Sequence, residues 1–256
     1  MMRWLEASLT ATAVTDRLYP PMPRETLAAK RERVAQILEG LARTYPDAHC
    51  ELVFKNPLQL LFATILSAQC TDKQVNIVTA SLFKKYRLAS HYAKVSQEEL
   101  ESDIRRIGLF RSKARNIRKC CQKLIDRHSG KVPKTMDDLI DLDGVGRKTA
   151  NVVVGNAYGL DEGIVVDTHV KRLAMRLGWS QASTPEKVEL DLIKIVDSGK
   201  WTMLSHWLIW HGRRQCSARK PLCDSCSISH LCPSKTKSAM TRSGRRVGTL
   251  SSASAA

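Results

Sequence analysis

Four of the eight cysteines in this 256-residue sequence lie close together near its C-terminal end. They are Cys216, Cys223, Cys226 and Cys232, and six, two and five residues separate them. A ligand set made of thiolates suits a structural zinc ion or a 4Fe–4S cluster. Zinc ribbons usually carry two Cys-x2-Cys pairs, whereas this stretch has one, so the spacing favours an iron–sulfur cluster. Four protein ligands leave no position open for a substrate, which predicts a structural role.

A tight glycine turn is the second feature with chemical meaning. Gly144, Val145 and Gly146 follow one short apolar segment, and Arg147, Lys148 and Thr149 open the next. Two glycines around one apolar residue allow a sharp turn, so the N–H groups that start the second helix point outward together and form an anion site. In a basic protein the natural anion is a DNA phosphate, bound without reading base sequence. A plain loop between two helices is the alternative interpretation.

Lys148 and Asp167 could act together in catalysis. Lys148 lies in the first turn of the predicted helix, where the positive helix end and any nearby cation favour the free amine. A free amine is what a Schiff-base nucleophile requires, although a lysine that contacts phosphate fits the same position. Asp167 follows three β-branched apolar residues and precedes an amphipathic helix, so it is a helix N-cap, or an N-cap that also faces Lys148 across a cleft.

The charge of the chain indicates its partner. Lys and Arg number 41 against 25 Asp and Glu, which gives a net charge of +16. The last 22 residues contribute five of these cations and no acid, so the rest of the chain keeps an excess of 11. A basic body of this kind favours nucleic acid as the partner.

The sequence lacks the segments that would direct it to or through a membrane. Its longest apolar run, Leu60 to Leu66, falls far short of the roughly 20 residues that span a bilayer. Glu6, Asp16 and Arg17 interrupt the N-terminal stretch where the apolar region of a signal peptide would lie. We therefore expect no membrane partner and a cytoplasmic location, where reduced cysteines favour metal binding over disulfides.

Helical periodicity runs through most of the chain, and no stretch alternates convincingly as a strand would, which predicts an all-α protein. Caps and glycines place the helices. In the first half of the chain, helices are predicted from Asn56-Pro57 to about Gln69, from Ser96 to a stop at Gly108, and from about Arg111 to Arg127. A short helix capped by Thr135 follows, and two helices surround the glycine turn within 139–158. The last three helices run from Asp167 to Gly178, from Thr184-Pro185, and from about Thr202 to His211. Residues 1–23 and 235–256 lack this periodicity and are predicted to be disordered.

The motifs together resemble the endonuclease III family of DNA glycosylases, in the helix–hairpin–helix superfamily. The resemblance rests on the hairpin with its lysine, the Val166-Asp167-Thr168-His169 string and the cysteine loop. Two further strings, 65–72 (ILSAQCTD) and 107–110 (IGLF), resemble the family's early helix end and its intercalation loop. The resemblance covers about residues 24–234, and five motifs in this order are highly specific.

The resemblance implies a two-lobed all-α fold that binds double-stranded DNA in the cleft between its lobes. A six-helix barrel would span about residues 50–160, with the helix–hairpin–helix at about 137–158. A second, iron–sulfur lobe would combine 24–49 with 161–234 and hold one 4Fe–4S cluster on the four cysteines. The protein would act as a monomer.

The resemblance also implies residue roles and an activity. Lys148 would be the Schiff-base nucleophile and Asp167 the catalytic carboxylate. Gln69 would fill the space left by a flipped nucleotide and Leu109 would wedge the opposite strand, while His169 joins the hairpin residues in binding DNA. The enzyme would excise damaged bases, with oxidised pyrimidines as the expected substrates, and would cleave abasic sites by β-elimination as a bifunctional glycosylase and lyase.

Two alternatives and two departures accompany this hypothesis. An adenine-mismatch glycosylase shares the cysteine spacing, but those relatives lack the lysine and carry a further C-terminal domain. A non-catalytic DNA-binding or redox module would not need both Lys148 and Asp167.

Asp143 stands where the family usually has proline, which would weaken the phosphate contact. The loop between Gly155 and Gly163 is about one residue longer than the family pattern, which bears on the register between Lys148 and Asp167.

Overall fold

The computed structural model describes residues 25–235, so the predicted disordered ends, 1–23 and nearly all of 235–256, lie outside the described residues. Within residues 25–235 there are eleven α-helices, two short 3-10 helices and no strand, as the periodicity predicted. The α-helices are α1 Leu27–Thr44, α2 Pro57–Ser67, α3 Asp72–Lys85, α4 Ala89–Lys94, α5 Gln97–Asp103, α6 Phe110–His128, α7 Met136–Ile140, α8 Arg147–Tyr158, α9 Thr168–Arg176, α10 Pro185–Ile193 and α11 Trp201–Arg214. None of the helices in this range is long and apolar enough to cross a membrane.

Most of these helices begin at a side chain that accepts a hydrogen bond from the first turn. The capping residues are Thr26, Asn56, Thr71, Ser96, Thr135, Asp167 and Thr184. Each such cap stabilises its helix by about 0.5–2 kcal/mol, because it satisfies an N–H group that has no partner within the helix. Local sequence therefore sets where these helices start.

The end of α5 differs from the prediction. The helix stops at Asp103, where the Ile104 N–H donates to the carbonyls of Leu100 and Ser102, and not at Gly108. Gly108 does not adopt the left-handed conformation of a helix-ending glycine, which falls on the next residue, Leu109, at φ 59°. The prediction of Gly108 as the stop was wrong because the chain turns after Asp103, where the Ile107 N–H donates to the Ile104 carbonyl at 2.8 Å and both isoleucines are buried in the first core.

The buried apolar residues form two separate cores. The first core draws on residues between Leu52 and Val154, that is on α2 to α8. The second core joins residues between Val34 and Ala48 to residues between Ile164 and Ile228. Segments from before and after the first core therefore pack together. We call these parts the first lobe and the second lobe. Helix α8 carries Lys148 in the first lobe and also packs against α11 of the second lobe.

Candidate active site

The glycine turn lies between α7 and α8, as the prediction of a helix–hairpin–helix required. Gly144 adopts φ +80°, and a Cβ there would lie 2.9 Å from the Cβ of Asn116. Both conformation and space therefore demand glycine at this position. Gly146 differs, since its φ is −100° and a Cβ there would meet nothing within 4 Å. A bare, open backbone at Gly146 lets a ligand approach the start of α8 closely.

The start of α8 leaves N–H groups free for an anion. No side chain caps the helix, and its first main-chain bond runs from the Ala150 N–H to the Gly146 carbonyl at 3.0 Å. The N–H groups of Arg147, Lys148 and Thr149 therefore precede the first helical hydrogen bond. Val145 has another function, because its side chain is buried in the first core and its N–H donates to the Leu142 carbonyl. It anchors the turn from inside.

Two charged residues of the hairpin have partners in the structure. The Arg147 guanidinium donates to both carboxylate oxygens of Glu189 in α10, at 2.8 and 3.2 Å, and so joins the hairpin to the second lobe. This bond raises the pKa of Arg147. The Asp143 carboxylate lies 3.4 Å from the Lys123 ammonium. Its charge is thus offset within the protein rather than left facing a phosphate.

Lys148 and Asp167 line the same cavity between the lobes, which has a volume of about 130 Å³. Lys148 is exposed and Asp167 is half-buried. Asp167 Oδ1 accepts from the N–H groups of His169 and Val170, both at 2.8 Å. Within residues 25–235, Oδ1 accepts both of these cap bonds. Asp167 is the N-cap of α9, and the cap orients a carboxylate at the cavity that Lys148 also lines.

Charged and polar side chains that the sequence analysis missed form other walls of this cavity. Arg213 of α11 binds Glu51 and also Asp72, at 2.8 Å from the latter, and both acids belong to the first lobe. The His206 Nε2–H donates to Asn156 Oδ1 at 2.7 Å. Burial lowers the pKa of His206 to about 4, so its imidazole is neutral at physiological pH. No local motif marks these residues, because each pair joins distant parts of the chain.

His169 lies away from the cavity. Its ring nitrogen Nδ1 is 3.1 Å from the Arg172 guanidinium, and a Cβ on Gly212 would lie 2.9 Å from the same atom. Burial lowers the pKa of His169. The structure therefore packs this side chain against α11, whereas the other residues of the predicted DNA-binding set lie in the hairpin and in the two loops described next.

Gln69 and Leu109, predicted to enter the DNA, share an unusual conformation. Both adopt left-handed backbone angles, at φ 54° and 59°, and both side chains are exposed. A residue with a Cβ pays roughly 1–2 kcal/mol for this conformation. Their loops touch, since a Cβ on Gly108 would lie 3.8 Å from the Gln69 carbonyl oxygen. Two exposed residues with a strained backbone thus lie on neighbouring loops, an arrangement typical of functional loops.

The four C-terminal cysteines line one small cavity in the second lobe. Burial raises the pKa values of the Cys226 and Cys232 thiols, and the sulfurs of the other cysteines raise them further. In the part of the chain that the structure describes, no three ligand side chains are placed to hold a metal ion between them. A 4Fe–4S cluster makes a different demand, because each thiolate binds its own iron and the four sulfurs surround a larger group.

Comparisons with known proteins bear on the whole arrangement. The profile of the HhH-GPD superfamily of base excision DNA repair proteins matches residues 62–198, and that of the iron–sulfur binding domain of endonuclease III matches residues 216–232. Endonuclease III of Synechocystis is 48% identical over 208 residues, which cover 81% of this chain and 95% of the relative. Endonuclease III of Escherichia coli is 43% identical over 202 residues, covering 79% and 95%.

The chain belongs to the endonuclease III family. It is thus an enzyme of base excision repair, a DNA glycosylase and lyase whose partner is DNA, as predicted. A solved endonuclease III–DNA complex superposes with a TM-score of 0.78 at 49% identity, over 82% of this chain and 98% of the other. A thermostable thymine-DNA glycosylase, 23% identical, shares the fold at a TM-score of 0.72. These likenesses confirm the all-α helix–hairpin–helix fold.

The second lobe of this endonuclease III fits the 4Fe–4S cluster of its family. Four thiols converge on one cavity. An arginine beside them offsets part of the charge of a thiolate-bound cluster, and a histidine that burial keeps neutral lies near a second sulfur. Arg176 donates to the Cys216 sulfur at 3.1 Å, and His211 Nε2 lies 3.6 Å from the Cys226 sulfur. Cys216, Cys223, Cys226 and Cys232 would hold the cluster, which when bound ties the end of the chain to α9 and α11.

Proposed function

We propose that Lys148 is the nucleophile of this endonuclease III and that Asp167 is its catalytic carboxylate. The observation that carries the proposal is their meeting at one interlobe cavity, with Lys148 at the free N-terminus of α8 and Asp167 oriented by its own helix cap. Asp167 supplies a fixed negative charge where positive charge develops on the sugar.

The DNA is bound through its backbone and opened at the lesion. The N–H groups at the start of α8 hold a phosphate, with the open backbone of Gly146 allowing close approach. The nucleotide must leave the stack before its sugar can be attacked, at a cost of a few kcal/mol that is least for a damaged base. Gln69 and Leu109 occupy the gap that the extruded nucleotide leaves.

The chemical steps begin at the side-chain amine of Lys148. Lys148 Nζ attacks the sugar carbon that bears the base, the glycosidic bond breaks, and the base leaves with the bonding electrons and a proton. The bond from the same carbon to the ring oxygen then breaks, the oxygen takes up the proton of the amine, and a Schiff base forms. The Schiff base acidifies the adjacent carbon, and loss of a proton there expels the 3′ phosphate in β-elimination. Hydrolysis of the remaining imine restores Lys148. A solved endonuclease III–DNA covalent intermediate with a trapped adduct supports this chemistry for the family.

We further propose that the substrates are oxidised pyrimidines and abasic sites in double-stranded DNA. The family membership supports this choice. We propose that the enzyme works as a cytoplasmic monomer. Two domains, 50–160 and 24–49 with 161–234, are proposed because each range contains its own buried core.

Borohydride trapping on a duplex with one oxidised pyrimidine tests the nucleophile. The wild-type protein is expected to form a covalent adduct and to nick the strand, whereas Lys148→Gln does neither and keeps damaged-duplex affinity within about tenfold, because one phosphate contact is a small share of the electrostatic term. Lys187→Gln, which removes an exposed lysine of α10, is the matched control and traps normally. A trappable Lys148→Gln protein would assign the nucleophile to another amine, and a wild-type protein that traps nothing would favour a DNA-binding module.

A further inference from the structure

Lys113 is a buried lysine on α6, with only 5% of the residue exposed. Burying an ammonium is unfavourable unless it is fully hydrogen-bonded, and burial lowers the pKa of Lys113. No acid pairs with Lys113 among the ion pairs of residues 25–235. Its bonds to the protein are instead to backbone carbonyls, and their location gives this lysine its significance.

The ammonium binds the end of α2. Lys113 Nζ donates to the Leu66 carbonyl at 2.9 Å and to the Ala68 carbonyl at 2.6 Å. A cation is favourable there, because the last carbonyls of a helix lack partners and carry partial negative charge. The Ala68 carbonyl is part of the peptide group whose N–H belongs to Gln69. The side chain of Lys113 therefore fixes the orientation of the peptide that enters Gln69.

The main chain of Lys113 holds the other loop. Its N–H donates to the Leu109 carbonyl at 3.1 Å, which is the first hydrogen bond of α6. Leu109 is the N-cap residue of this helix, and no side chain caps it. One residue thus binds the peptide that precedes Gln69 and the peptide that follows Leu109.

Both bonded peptides adjoin residues in the left-handed conformation. A residue with a Cβ keeps such a conformation only where its surroundings impose it. Gln69 and Leu109 are exposed, so their own side chains do not provide that constraint. The buried lysine between them does, and it places the two loops in one fixed relation.

We propose that Lys113 is a positioning residue that sets the Gln69 and Leu109 loops in register, so that both side chains enter the same gap in the duplex. This inference rests on the proposed function, because it assigns Lys113 to base extrusion and not to the chemistry at Lys148. A loss of Lys113 therefore affects damaged bases that must be extruded from a paired duplex. It leaves abasic sites in single-stranded DNA, which need no extrusion, largely unaffected.

The test compares Lys113→Met, which has similar length and no charge, with the wild-type protein on these two substrates. We expect excision from the paired duplex to fall by about tenfold or more, as small misplacements typically cause. Cleavage of the single-stranded abasic site should stay within about twofold, because no base is extruded there. Fluorescence of 2-aminopurine placed opposite the lesion reports the opening directly, and its rise on binding should be lost. Lys119→Met, an exposed lysine of the same helix, is the control and should behave as wild type.

A double-mutant cycle separates positioning from general stability. In a Gln69→Ala/Leu109→Ala background, Lys113→Met should have little further effect on duplex excision, because it acts through those two residues. If Lys113→Met does not fold, Lys113→Gln, which keeps N–H donors on a shorter chain, is measured in the same assays. Equal losses on both substrates, no loss on the duplex, or additive effects in the cycle would overturn the inference. A wild-type protein without a borohydride adduct would instead overturn the proposed function.

Discussion

Glu189 holds the two lobes together beside the nucleophile, and its replacement by glutamine gives a measurable prediction. Its side chain is 6% exposed and binds the Arg147 guanidinium through both oxygens. Oε1 also accepts from the Asn151 side chain at 3.0 Å and from the Ile164 N–H at 3.2 Å. Glu189→Gln keeps the shape, but it removes the charge and turns an amide N–H₂ toward one of these donors.

The expected loss follows from the burial of the two partners. Removing one member of a buried ion pair typically costs 3–5 kcal/mol, roughly, because the other charge is left without a partner. Arg147 is 45% exposed and can regain water, so we expect a smaller loss in the free energy of unfolding, about 2–3 kcal/mol. In a domain of this size that corresponds to a fall in melting temperature of about 4–12 °C.

The assay is thermal unfolding followed by circular dichroism, together with cleavage of an abasic duplex. Activity should fall with stability, because Glu189 joins the start of α8, next to Lys148, to the Ile164 segment that leads to Asp167. Glu39→Gln is the control, since its pair with Arg43 is exposed at 68% and 70% and should be worth less than about 0.5 kcal/mol. A Glu189→Gln protein that melts within a degree of wild type would refute the reasoning.

Three further variants test the rest of the site. Cys216→Ser should abolish the broad absorption near ~400 nm of a thiolate–iron cluster and destabilise the second lobe, whereas Cys120→Ala, in the first core, should keep the absorption. Leu109→Ala should slow excision of a lesion in a paired duplex more than of the same lesion in an unpaired bulge, and equal losses would assign Leu109 a packing role. Asp167→Asn should keep its helix cap and its stability but lower turnover by about 100-fold, and near-normal turnover would reduce Asp167 to a cap.

Helix starts were predictable from sequence because their cause is local. Asn56, Thr135 and Asp167 each cap a helix through a bond that spans two or three residues. Gly108 shows where this reasoning fails. A glycine near a helix end predicts the left-handed residue, but that conformation falls on the next residue, Leu109, the N-cap of α6. The chain before it turns so that Ile104 and Ile107 are buried in the first core, which is a tertiary constraint.

The residues of the candidate site also separate into those that local sequence predicts and those that only tertiary packing brings together. Lys148, the glycine turn and the cysteines stand in compact motifs, so their positions could be predicted. Arg147 and Glu189 are 42 residues apart, and Arg213 and Glu51 are 162 apart. A single sequence gives no signal for such pairs, because which acid meets which arginine depends on the packing of the lobes. The sequence also predicted only in part which positions require glycine. The backbone conformation at position 144 requires glycine, whereas the conformation at position 146 does not.

The second core has a consequence for the order of folding. Helix α1 precedes the first lobe in the chain, with Val34, Ile37 and Leu41 on its apolar face, yet it packs against residues that follow the first lobe. Its Gly40 comes so close to the cysteine loop that a Cβ would lie 2.9 Å from Ile228 Cγ2. Domains generally fold as units during synthesis. Because the first lobe is continuous in sequence, it can fold before α1 has its packing partners. The apolar face of α1 is therefore covered only after the segments of the second core between Ile164 and Ile228 have been made.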